Sequence, residues 1–164
     1  MHHHNRGQDG AGVVSVKLDL ESGNEYIHHH KTNKSSAIED VFKKINKLFA
    51  KAGNNNPTRL SDASWAKKNL PFAGELLLGH LRYGTYGQYK IENVQPLMRQ
   101  NNWKSRNLVI AGNFNLTNVE ELFRILIGLG QHPRDKIDTV IMLEKIGHFL
   151  DTENQKEIDK YKQQ

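Results

Sequence analysis

"RGQDGAGVV", residues 6–14, sets a glycine-rich turn directly ahead of a run of valines. Gly7, Gly10 and Gly12 reach backbone conformations closed to other residues, so they can fold a tight turn that gathers Arg6, Gln8 and Asp9. Val13, Val14 and Val16 then carry a strand, predicted over "AGVVSVKLDL", residues 11–20. A second strand, "EYIHHHKT" at residues 25–32, returns beside it after the turn "ESGN". Taken alone, such an opening is a turn leading into an edge strand, and nothing in it demands chemistry.

Outward from this pair the pattern changes to a helical period. In residues 35–53, Ser36 and Glu39 are spaced as a capping box, Ile38, Val41, Phe42, Ile45, Leu48 and Phe49 share one face, and Gly53 supplies a stop. After the loop "NNNPTRLSD", the segment "SDASWAKKNL" predicts a short helix and "GELLLGHLRYG", residues 74–84, a buried strand. Residues 85–107 are polar and irregular, as loops over a site would be. "NLVIAG" predicts a further strand and "NFNLTNVEELFRILIGLG" a helix with Thr117 and Glu120 as its capping box. The loop "HPRDKID" precedes a last apolar helix at residues 138–150, and the polar tail 151–164 reads as a helical extension. Strands and helices come in blocks, so the fold class is α+β.

Composition narrows the function classes. With 164 residues, 37% of them apolar and 25% charged, the chain is globular and fits one ordinary domain. No apolar run approaches the roughly 18 residues of a membrane span, and no secretory signal is visible, so a cytoplasmic protein without a membrane partner is expected. The net charge of +5 permits an anionic partner, yet the lysines are scattered over helical faces and no nucleic-acid partner is expected. The chain has no cysteine, which excludes disulfides, thiolate metal sites and a cysteine nucleophile within it. His28, His29 and His30 alternate along a strand and cannot converge on one ion; no metal site is expected.

Three polar clusters fall where strands end or helices begin: "GHLRYGTYG" (79–87), "AGNFNLTN" (111–118) and "DKIDTV" (135–140). Separately, Arg82 reads as a surface ion pair, Asn113 and Asn115 as turn residues and Asp138 as a helix cap. Together with the opening turn and "NVQPL" (93–97) they follow the order and spacing of a family. Over about residues 4–150 the chain resembles the class II, N-terminal-nucleophile glutamine amidotransferases, and within them the amidophosphoribosyltransferases. The wording "RGQDGAG" separates it from the RGYDSAG of glucosamine-phosphate synthases and the RGPDG of asparagine synthetases.

The resemblance implies a four-layer αββα sandwich of the N-terminal-nucleophile hydrolases, incomplete here, with the first strand and a C-terminal part lying outside a 1–164 amidotransferase type 2 domain fragment. It implies glutamine hydrolysis by an N-terminal cysteine, with ammonia delivered to phosphoribosyl pyrophosphate in a separate acceptor domain during purine synthesis. Arg82, Thr85 and Asp138 match positions that hold glutamine, and Asn113 with the backbone N–H of Phe114 matches the oxyanion hole. No cofactor is expected in this domain, magnesium is expected in the acceptor domain, and a homo-oligomer is expected. Arg82, Asn113 and Asp138 are expected to share one cleft.

Departures from the family pattern are also explicit. His-Asn-Gly-Asn becomes Gly112, Asn113, Phe114, Asn115, and Phe114 would be strained wherever a positive φ is required. Gly84 stands before Thr85 in place of serine. The cysteine nucleophile is absent, so the chain by itself is expected to be inactive, and an unfilled sheet position is expected beside residues 11–20, favouring edge-to-edge association. A non-catalytic glutamine-binding or regulatory module is the alternative.

Overall fold

β1 (Gly10–Val16) lies at the centre of a three-stranded antiparallel sheet, between β2 (Ile27–Thr32) and β3 (Leu76–Arg82), in a computed structural model that describes residues 9–55, 57–83 and 90–162. The chain forms two compact units, Met1–Pro96 and Leu97–Gln164. Each combines antiparallel strands with helices, so the class is α+β.

In the first unit, Val14 sits opposite His29 on one side and Leu78 on the other. The β1–β2 connection closes where the Asn24 backbone and side-chain amides both donate to the Glu21 carbonyl, with Gly23 at φ 89°. α1 (Ala37–Asn55) lays Ala37 and Val41 on Ala11, with Val13, Ile38 and Ile45 around them. Those apolar positions recur at helical spacing, and their burial, more than intrinsic propensity, holds the helix. α2 (Ala63–Asn69) starts at Asp62, whose carboxylate accepts the Ser64 and Trp65 backbone N–H groups. The chain then returns to the sheet through Gly74, whose N–H donates to Ser15 Oγ, and Glu75, which accepts the Leu18 N–H at 3.0 Å.

Three expectations about this unit are corrected. β1 has no unfilled neighbour, because β3 takes the side left open by β2, so the expected association at a free β1 edge has no basis. The α1 helix passes through Gly53 to Asn55; the space a side chain would need there is taken by Leu60, 2.6 Å from where a Cβ would stand. β3 is not buried: among the described residues it is bonded on one side only, and Leu76, Leu77 and Leu78 on its two faces are all exposed.

In the second unit, β4 (Leu97–Arg99) and β5 (Leu108–Ile110) form a short antiparallel pair with Arg99 opposite Leu108. α3 (Val119–Gly128) and α4 (Asp138–Lys162) supply its core through Leu126, Ile141 and Leu143. β4 lies inside the stretch read as irregular; three residues are too few to show a period of two. The tail is continuous with α4, as expected of a helical extension. Arg99 reaches along α4, donating to both oxygens of Asp151 and facing Glu144 at 3.7 Å, above Gly147. The expected Thr117–Glu120 capping box does not form. Asn118 is the N-cap residue without a side-chain bond, and Glu120 instead takes the Lys136 ammonium at 3.1 Å.

Candidate functional site

The glycines of the opening turn earn their place through close contact. A Cβ on Gly12 would overlap the Gln95 carbonyl and press on Pro96, and one on Gly10, at φ 152°, would stand 2.8 Å from Val94 Cγ2. The peptide 94–96 therefore lies against β1 where two side chains are missing. Val94 is fully buried there, and the Gln95–Pro96 bond is cis. Lys31, opposite Gly12 on β2, fixes the approach by donating from Nζ to the Glu92 and Val94 carbonyls at 3.0 and 3.3 Å. Sequence reasoning did not single out Lys31, since one lysine in a strand carries no local signal of where its ammonium goes.

Arg82 closes this end of the sheet. It pairs with Gly10, its carbonyl accepts the Asp9 N–H at 3.4 Å, and its half-buried guanidinium donates to the Lys90 carbonyl at 3.5 Å. The described parts of three motifs, residues 9–12, 79–82 and 94–96, thus meet on β1 in the first unit. Thr85, with Gly84, Arg6 and Gln8, lies outside the described residues.

Asn113, Phe114 and Asp138 belong to the second unit. Asn113 is exposed and Phe114 half-buried. Phe114 does not have a positive φ, so the feared backbone strain is absent. Its ring folds back over Gly112, where a Cβ would come within 2.6 Å of Cζ. The two departures from the family wording are therefore coupled: the ring at 114 uses the space freed at 112. Asp138 begins α4, and its Oδ2 accepts the Leu116 N–H at 2.9 Å, tying "IDT" to "GNFNLTN" across 22 positions. The carboxylate also stands at the positive end of a 25-residue helix, where negative charge is favoured.

The sheet around Arg82 is rich in suppressed bases. Burial holds His28, His29, His30 and His80 below the ordinary histidine range, aided for His80 by the Arg82 charge and for His29 by Lys31. Among the described residues no group of three or more histidine, aspartate or glutamate side chains is placed to hold a metal ion, and no helix is long and apolar enough to cross a membrane.

Comparison with known proteins follows the same line. The chain is 30% identical, over 86% of its length, to the chloroplastic amidophosphoribosyltransferase of Vigna aconitifolia, covering 22% of that protein. It is 30% identical over 88% of its length to amidophosphoribosyltransferase of Bacillus subtilis, covering 24% of it, and 36% identical over 86% to that of Rhizobium etli, covering 22%. No family model matches, and no solved structure matches. The matches support a glutamine amidotransferase-like domain, similar to that of the amidophosphoribosyltransferases. The relatives that define it are amidophosphoribosyltransferases, and the chain spans under a quarter of the length of these three.

Proposed function

We propose that this chain is the glutamine-binding part of an amidophosphoribosyltransferase-like enzyme, built on the N-terminal-nucleophile sandwich. The observation that carries the reading is that proteins named amidophosphoribosyltransferase match 86% to 88% of it at 30% identity. A free amino acid presents a carboxylate and an ammonium. Arg82 is assigned the carboxylate, which a planar guanidinium can grip with two parallel bonds, and Asp138 the ammonium through the oxygen that does not hold Leu116. Thr85 is assigned to the same substrate.

In the whole enzyme a cysteine thiolate attacks the side-chain amide carbon of glutamine, forming a C–S bond as the carbonyl electrons move to oxygen. The Asn113 side-chain amide and the Phe114 backbone N–H are assigned to that oxyanion, the kind of stabilisation that supplies much of the rate in acyl transfer. Collapse breaks the C–N bond and releases ammonia with the proton it gains. Water then cleaves the thioester to glutamate and restores the thiol. Ammonia passes to phosphoribosyl pyrophosphate in an acceptor domain, to which any magnesium belongs, and the enzyme acts in the cytoplasm as a homo-oligomer. With no cysteine among its 164 residues, this chain alone binds without hydrolysing. That absence equally favours a second reading, a glutamine-binding regulatory module.

Calorimetry with glutamine, with its analogue lacking the α-carboxylate and with that lacking the α-amino group tests the binding role. Glutamine alone is expected to bind, and ammonia release is expected to match a buffer control. Equal binding of all three compounds, or ammonia release by the purified chain, would refute the assignment.

A further inference from the structure

The first unit buries imidazoles in a way its proposed substrate does not explain. His29 and His80 lie on the face of the sheet shared by Gly12 and Val14: His29 is opposite Val14 on one side, and His80 opposite Gly12 on the other. His29 Nε2 and His80 Nδ1 are buried and bonded to nothing. The other ring nitrogen of His29 donates to the Pro96 carbonyl, so the proton that would charge this ring must go to the unpartnered Nε2. A donor placed there has no acceptor, and the ring's charge has no counter-ion.

The surrounding charges decide which histidines matter. His28 faces Lys17 from β1's end, the ring of Phe72, and Glu25, whose carboxylate is 3.6 Å from Nδ1. His30 faces Lys34, and Lys44 and Asp40 of α1. Glu25 and Asp40 can compensate charge on those two rings. Among the described residues, the charges acting on His29 are those of Lys31 and His30 and on His80 that of Arg82, and no carboxylate acts on either. Both sit on the strands that carry the seat of peptide 94–96 and the end of the sheet at Arg82.

We propose that this sheet is an acid-sensitive switch: proton uptake by His29 and His80 in mild acid loosens β2 and β3 from β1 and unseats peptide 94–96. Both imidazoles are held neutral in the fold, below the 6.5 they adopt when unfolded, so stability is complete above that value and falls as the pH drops through it. The second unit has no buried unpartnered imidazole among its described residues and should not respond in this window.

The test is urea unfolding of the full chain at pH 8 and pH 5.5, beside His29→Leu/His80→Leu, with imidazole resonances of the wild-type chain titrated by NMR. The wild type should show a lower urea midpoint at pH 5.5, the double variant a clearly smaller difference, and the imidazoles of both His29 and His80 should titrate below 6.5. A wild-type midpoint equal at both pH values, or a double variant retaining the full difference, would overturn the proposal. Should the variant fail to fold, the resonances decide: His29 and His80 titrating at 6.5 or above contradicts it.

Discussion

Gly12 shows how much of the candidate site depends on a missing atom. A Cβ there would overlap the Gln95 carbonyl, a backbone group that cannot swing away as a flexible side chain can. Gly12→Ala should therefore cost about 1–3 kcal/mol, the range of an overpacked core, as read from urea unfolding. By contrast, Gly112→Ala meets only the far end of the Phe114 ring, which can turn aside, so the loss there should be smaller. At Asp138 two roles separate cleanly. Asp138→Asn keeps an oxygen for the Leu116 N–H and should leave the fold intact while removing the charge assigned to an ammonium. Asp138→Ala removes both and should in addition destabilise the second unit by about 1 kcal/mol.

Glu75 is the element-scale equivalent, since it ties three pieces of the first unit together. Its carboxylate holds Lys67 of α2 at 2.5 Å and the Leu18 N–H beyond β1, and the residue immediately precedes β3. These bonds pull its pKa from 4.5 to about 2, the Lys67 hydrogen bond contributing most and the Leu18 N–H next. The folded form thus binds a proton less readily than the unfolded one. The tie is whole above about pH 4.5 and is lost as the pH falls from there toward 2. Glu75→Gln should flatten the fall of the urea midpoint between pH 5 and pH 3 relative to wild type. An unchanged fall would show that the tie does not contribute. Most elements were legible in the sequence because their signals are local: a valine-rich run for β1, a helical apolar face for α1, a short helical segment for α2. What was not legible is non-local. β1's central position depends on β3 arriving from 60 residues away, and the exposure of Leu76 to Leu78 depends on what fails to cover them. Glu120 was misread as a cap because the loop brings Lys136 to it, which spacing along one helix does not announce.

For the whole molecule, the motifs of the candidate site fall into two groups held by different forces. Glycine packing and carbonyl bonds from Lys31 fix the group around Arg82, and one carboxylate fixes the group around Asn113 and Phe114. The family wording was visible in the sequence; the exchange between Gly112 and Phe114 that replaces it was not, because the spare volume at 112 shows only in three dimensions. The central claim is that glutamine is held by Arg82 from the first group and Asp138 from the second. Calorimetric titration of glutamine into the full chain, Arg82→Ala and Asp138→Asn, each first shown to be folded, tests it most directly. The account predicts binding to the unaltered chain and at least a tenfold loss, about 1.4 kcal/mol, in each variant. Glutamine binding that survives both substitutions unchanged, or a folded chain that does not bind glutamine, would contradict it.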